Sequence, residues 1–121
     1  ISEGFAGRPV VGTADAAIAR PSFHNPHCTP LLAWLDGQPA GGGVAEVDDG
    51  LIMLRSQSTR TGFRGRGVQA AVVRESLRLA VQAGCDLAVV QTTPGTASQR
   101  NVERAGFRLA YTKPTLTLRR R

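Results

Sequence analysis

The chain is short of aromatic residues, cysteine and lysine. Aromatics make up 5% of its 121 residues, with one Trp and one Tyr. That leaves few platforms on which bases could stack, and argues against a protein built to hold single-stranded nucleic acid. The two cysteines, Cys28 and Cys85, have no close-spaced partners. Neither a zinc ribbon nor a disulfide scaffold is therefore expected, and a reducing, cytoplasmic setting is the default. The stretch "HNPHC" (24–28) brings His24, His27 and Cys28 together, but Pro26 makes it a turn and the sequence offers no further ligands. No metal site is expected there. No run reaches the roughly 18 apolar residues a membrane helix requires. The opening "ISEGFAGRPV" lacks the basic and apolar regions of a signal peptide. Its first residue is Ile1, so a trimmed or partial chain is expected.

What is present is mostly arginine. Of the 15 basic residues, 14 are Arg, and the net charge is +6. An anionic partner fits that balance, and Arg suits bidentate phosphate contacts. The length fits one domain over residues 1–121 with a single core.

Residues 1–30 read as irregular or short helical structure. "GTADAAIAR" (12–20) can be capped by Thr13 or Asp15, and Pro21, Pro26 and Pro30 break any regular element after it. Three strands are expected next: "LLAWL" (31–35), "AGGGVAEV" (40–47) and "LIMLRSQST" (51–59). Asp36-Gly37 and Asp48-Asp49-Gly50 separate them, which gives an antiparallel meander. A helix over roughly 68–83 carries Val73, Leu77, Ala80 and Val81 on one apolar face and ends at Gly84. The apolar "DLAVVQT" (86–92) reads as a buried strand, parallel to 51–59 through the helical crossover. A second helix is expected over about 96–105, capped by Thr96 or Ser98 and stopped by Gly106. "FRLAYT" (107–112) and "TLTLRR" (115–120) read as closing antiparallel strands. The fold class is mixed α/β, a mostly antiparallel sheet with one parallel βαβ crossover and flanking helices.

"FRGRGVQAAVV" (63–73) is the stretch that carries chemistry. Gly65, Gly67 and Ala70 satisfy a dinucleotide fingerprint, with Asp86 about twenty residues on. However, the polar "RSQSTRTG" precedes the glycines, and Asp86 opens its strand instead of closing it. Arg64, Arg66 and the terminal Arg119–Arg121 could meet nucleic acid, yet nothing resembles a recognition helix. The third reading is a diphosphate cradle: glycine-freed backbone amides open directly into a helix N-terminus with its partial positive charge.

The same residues resemble the acetyl-CoA-binding motif of the GNAT acetyltransferases, R/Q-x-x-G-x-G/A. Arg64 takes the first place and Gly67 the fourth. Gln69 stands where Gly or Ala is usual. "ASQRNVERAGFRLAYT" is similar to the family's later helix, which ends in Gly106-Phe107. The resemblance covers about residues 31–120, and the family's first strand is not visible in 1–30, so it is expected to be missing.

The resemblance implies an N-acetyltransferase in which an amine attacks acetyl-CoA directly, with no metal, no nucleic acid and no membrane. It is compatible with a homodimer. It places cofactor contacts at Gln57, Thr59, Arg64, Gly65, Arg66, Gly67, Val68, Gln69, Ala70, Ser98, Asn101 and Arg104. The tyrosine that often serves as general acid is replaced by Val102. Tyr111 is then the remaining candidate acid and Glu46 the candidate base. A CoA-binding module with impaired catalysis is the alternative.

Overall fold

The computed structural model describes residues 9–13, 27–114 and 116–118. The expected helix over 12–20, most of "HNPHC" and the terminal Arg119–Arg121 lie wholly or largely outside them. Five strands form one sheet in sequence order: β1 (Val10–Thr13), β2 (Cys28–Leu35), β3 (Gln38–Asp48), β4 (Leu51–Thr59) and β5 (Leu87–Val90). Neighbours are antiparallel up to β4, and β4 runs parallel to β5.

β1 is a correction to the sequence reading. The strand expected to be missing is present, with Val10 opposite Trp34 and Thr13 opposite Leu31. Four residues are too few to show alternation, and the neighbouring Ala-rich run masks them. β2 also begins earlier than expected, at Cys28. Pro30 is tolerated within it, although proline removes a donor from the ladder.

Both hairpins turn on two residues with positive φ. These are Asp36 (53°) with Gly37 (77°), and Asp49 (49°) with Gly50 (80°). Both central residues of a type I′ turn need that conformation, which explains the Asp-Gly pairs. The glycine run of β3 has a packing reason. A Cβ on Gly41 would strike the Ser58 carbonyl oxygen and press the Val68 side chain at 3.0 Å. Glycine there lets β4 and the start of the next helix close onto β3.

α1 (Val68–Gln82) lies across the sheet. Its buried face is Val68, Val72, Val73, Ser76 and Ala80, joined in the core to Leu31, Leu35, Ile52 and Leu54. Val81, expected on this face, is 80% exposed. The helix is phased so that 68, 72, 76 and 80 point inward. Ser76 is tolerated inside because its hydroxyl donates to the Val72 carbonyl at 2.8 Å. The helix ends in a Schellman motif. Gly84 has φ 74°, and the Cys85 amide returns to the Ala80 carbonyl at 2.9 Å.

α2 (Ala97–Arg104) packs on α1 and ends the same way. Gly106 has φ 108°, and the Phe107 amide donates to the Val102 carbonyl at 3.1 Å. Phe107 then packs against the core that holds Val102. The Gly-Phe pair thus has a physical meaning: glycine supplies the left-handed turn, and phenylalanine closes the motif with an apolar contact.

The closing strands expected at 107–112 and 115–120 are absent among the described residues. Residues 107–114 and 116–118 pair with no strand, and Leu109, Tyr111, Leu116 and Leu118 are 70–98% exposed. Pro114 cannot donate to a ladder. The alternation that suggested strands here is real in sequence, but among the described residues β5 remains an edge.

Candidate functional site

The site is made where β4 and β5 part. Their register runs from Leu51 opposite Leu87 to Leu54 opposite Val90 and stops there. β4 continues to Thr59, paired on its other side with β3 alone. A bulge marks the parting. The β3–β4 register shifts between Gly42 and Val44, and Ser56 takes φ 53° within the strand. A positive φ is unusual for serine, and a bulge bends and twists the strand that carries it. The β4 backbone facing the missing neighbour, over Gln57–Thr59, is thereby left for another extended chain.

β4 leads through a short 3-10 turn (Thr61–Phe63) to Gly65 and Gly67, with φ 75° and 82°. Gly67 is the residue preceding α1, and no side chain caps that helix. The first returning bond is Ala71 N–H to the Gly67 carbonyl, 3.0 Å. The amides of Val68, Gln69 and Ala70 therefore have no acceptor within the helix. The N-terminus of α2 differs. Thr96 Oγ1 accepts from the Gln99 amide at 3.3 Å, and Gln99 Oε1 accepts from the Gly95 amide at 2.7 Å. One helix start is closed by side chains, and the other is open to an anion. A Cβ on Gly65 or Gly67 would meet nothing within 4 Å, so the space beside the cradle is free.

The cradle opens on a cleft of about 1090 Å³ between β4, α1 and α2. Every expected cofactor residue lines it except Arg66. Arg66 instead pairs with Asp36 at 2.8 Å and lies over the Phe63 ring, 5.9 Å from its centre. The departure at Gln69 acquires a role. Its amide donates to Ser98 Oγ at 2.7 Å and Gln57 Oε1 at 3.3 Å, and accepts from Asn101 Nδ2 at 3.0 Å. Gln69 thus ties β4, α1 and α2 together inside the cleft. The partners leave Gln57 Nε2 buried with no acceptor. Sequence spacing placed Ser98 and Asn101 on one face, but could not show that Gln69 joins them.

The catalytic candidates are not brought to the cleft. Tyr111 is 75% exposed beyond α2. Glu46 stands opposite Met53 and Cys28. Alternation puts it on the sheet face away from α1, since its neighbours Ala45 and Val47 share the core with Ile52 and Leu54. It meets Arg55 at 2.9 Å, but no hydrogen bond of good geometry reaches its buried Oε1. This is an ion contact and not a built hydrogen bond. Burial, and secondarily the Glu46 charge, raise the Cys28 thiol above its usual range, while Arg55 opposes them. Val102, at the position of the family's tyrosine, is 4% exposed in the core. Asp86 is fixed near Gly50, its amide bonded to that carbonyl at 3.0 Å. That is the end of the strands opposite the cleft, so the dinucleotide fingerprint fails on geometry. No group of three or more His, Cys, Asp or Glu is placed to hold a metal among the described residues.

The sequence model of the acetyltransferase (GNAT) family matches residues 6–107, and the chain belongs to that family. Among solved structures, it resembles aminoglycoside N-acetyltransferase AAC(6')-Iy bound to a CoA bisubstrate analogue. That match has 23% identity over 80% of this chain and 71% of the other, with a TM-score of 0.59. Glucosamine-6-phosphate N-acetyltransferase from Arabidopsis thaliana aligns at 12% identity over 77% and 68%, with a TM-score of 0.66. A transcriptional regulator from Bacillus halodurans aligns at 16% over 78% and 69%, with a TM-score of 0.67. These identities establish a shared fold. No curated protein matches the chain.

Proposed function

We propose that the chain is an acetyl-CoA-dependent N-acetyltransferase. The observation that carries this reading is the parting of β4 from β5 beside an uncapped, glycine-led helix start. An extended amide-bearing arm fits the free β4 edge, and a diphosphate fits the three free amides. Val68, Gln69 and Ala70 would hold the diphosphate through the backbone, with Arg64 adding charge. Gln57–Thr59 would pair with the arm, and Gln69, Ser98 and Asn101 would form the opposite wall.

A backbone amide near Thr59 would stabilise charge that develops on the acetyl carbonyl oxygen. The amine nitrogen attacks that carbon, and the C–S bond breaks. The amine proton leaves for solvent or a base, and CoA departs as thiolate or thiol. An acceptor with a lysine-like pKa near 10.4 must first lose a proton, which costs about 4–5 kcal/mol at pH 7. An amine of pKa near 8 costs about 1 kcal/mol by the same arithmetic. The leaving thiol, near pKa 8.5, needs only about 2 kcal/mol of help. A missing tyrosine then slows the reaction and does not forbid it. Two neighbours have names that point to amino sugars, which makes amino sugars the first acceptors to try.

The burial of Val102 and the distance of Tyr111 and Glu46 from the cleft favour one second reading, a CoA-binding module without turnover. Release of CoA thiol across an amine panel separates the two. Acceptor-dependent release supports the enzyme, and binding without release across the panel supports the module. A homodimer, the assembly compatible with the family, is checked by light scattering on the same sample.

A further inference from the structure

The polar side chains that line the cleft wall are engaged with one another. Gln69 stands at their centre. Its Nε2 donates to Ser98 Oγ at 2.7 Å and to Gln57 Oε1 at 3.3 Å, and its Oε1 accepts from Asn101 Nδ2 at 3.0 Å. Both N–H groups and the carbonyl oxygen of its carboxamide are thus used. Asn101 Oδ1 in turn accepts from Arg104 at 3.5 Å. All five residues line the cleft. One side chain of α1 therefore links β4 and α2 within the space a ligand would enter.

The local sequence is built for this link. Gln69 occupies the motif place where Gly or Ala is usual, and neither could reach these partners. Gln57 reaches α1 because of the bulge. Leu54 is buried in the core, and strand alternation would put Gln57, three residues on, on the opposite face. The bulge at Ser56, with φ 53°, resets the phase. A Cβ on Gly43 would meet Gln57 Cγ at 3.0 Å and Val72 Cγ1 of α1 at 3.4 Å, so glycine leaves the room that the Gln57 stem needs. The link is nevertheless incomplete. Gln57 Nε2 is buried with no acceptor. A buried donor without a partner is destabilising, so the closed arrangement carries a cost that opening relieves.

Resting on the acetyl-CoA reading above, we infer that Gln69 is a built-in competitor for the cofactor's arm. That arm carries secondary amides, each with one C=O and one N–H. The Gln69 carboxamide presents the same kinds of group to Asn101, Ser98 and Gln57. An arm amide that bonds these residues takes the place of Gln69 and does not fill a vacant position. Binding there exchanges internal hydrogen bonds for ligand ones, with little net gain. The diphosphate takes no part in the exchange, because the amides of Val68, Gln69 and Ala70 have no acceptor within the helix. Gln69 thus stabilises the empty chain and lowers its affinity for arm-bearing ligands.

The test compares wild type, Gln69→Ala and Gln69→Met by thermal melting and by calorimetric titration. The ligands are acetyl-CoA and ADP, which has the diphosphate and lacks the arm. The Met variant keeps a side chain of similar length without the hydrogen bonds, and decides the matter if the Ala variant does not fold. Both variants should melt below wild type. Both should bind acetyl-CoA about three- to eightfold more tightly, and ADP within about twofold of wild type. A residue that only held the cleft together would lower stability and affinity alike. Unchanged or weaker acetyl-CoA binding by a folded variant overturns the competitor while leaving the acetyl-CoA reading intact, and so does an equal gain for ADP. Failure of wild type and both variants to bind acetyl-CoA removes that reading as well.

Discussion

Replacing Gly67 with Asp perturbs the cradle through two separable effects. Gly67 holds φ 82°, and any L residue there is strained. That strain costs on the order of 1–2 kcal/mol of stability, less for Asp than for a branched side chain. The second effect is on the ligand. The new Cβ would meet no protein atom within 4 Å, so it points into space that a bound diphosphate would share. A carboxylate about 5 Å from a phosphate charge repels it by about 1 kcal/mol in water and about 3 kcal/mol at an effective dielectric of 20. Affinity for acetyl-CoA should therefore fall tenfold or more, about 1.4 kcal/mol or above. Calorimetric titration measures that loss, with circular dichroism confirming the fold. Gly67→Ala carries the strain without the charge and should lose less. A folded Asp variant with unchanged affinity would show that this loop does not hold the diphosphate.

Other perturbations test the scaffold and the cleft wall. Gln69→Ala removes the hub that joins Gln57, Ser98 and Asn101. The melting temperature should drop for a loss of about 1–2 kcal/mol, and acetyl-CoA affinity should change by less than about tenfold, because the amides remain. Gly41→Ala forces a Cβ against the Ser58 carbonyl and Val68, so urea unfolding should report a loss of about 1–3 kcal/mol or more. Glu46→Gln removes a charge that raises the Cys28 thiol and leaves Arg55, which lowers it. The thiolate fraction should then rise at a given pH, and Cys28 alkylation near pH 8 should speed up; an unchanged rate would deny the coupling.

Much of the fold was legible because its signals are local. Two Asp-Gly pairs set both hairpins, and the apolar period set α1. Gly84 and Gly106 marked the helix ends with the residue that a left-handed turn requires. The cradle was legible for the same reason, since glycines and a helix start adjoin in sequence. The features that escaped depend on distant partners. β1 exists by pairing with β2, and four residues cannot announce that. Residues 107–114 and 116–118 have the alternation of strands, yet alternation needs an edge to pair with, and these residues engage none. Arg66 sits inside the motif but is drawn to Asp36, thirty residues away. Arg74 lies outside the motif and lines the cleft as well as the smaller hollow beside Glu75 and Arg78. Gln69 reads in sequence as a departure from the motif, whereas three hydrogen bonds make it part of the wall.

Acetyl-CoA binding by the intact chain bears most directly on the central claim. Calorimetric titration should give one site per chain with micromolar affinity. At about 100 times the dissociation constant, the ligand should raise stability by about 2.7 kcal/mol, visible as a higher melting temperature. No heat of binding and no shift in melting at such concentrations would contradict the account.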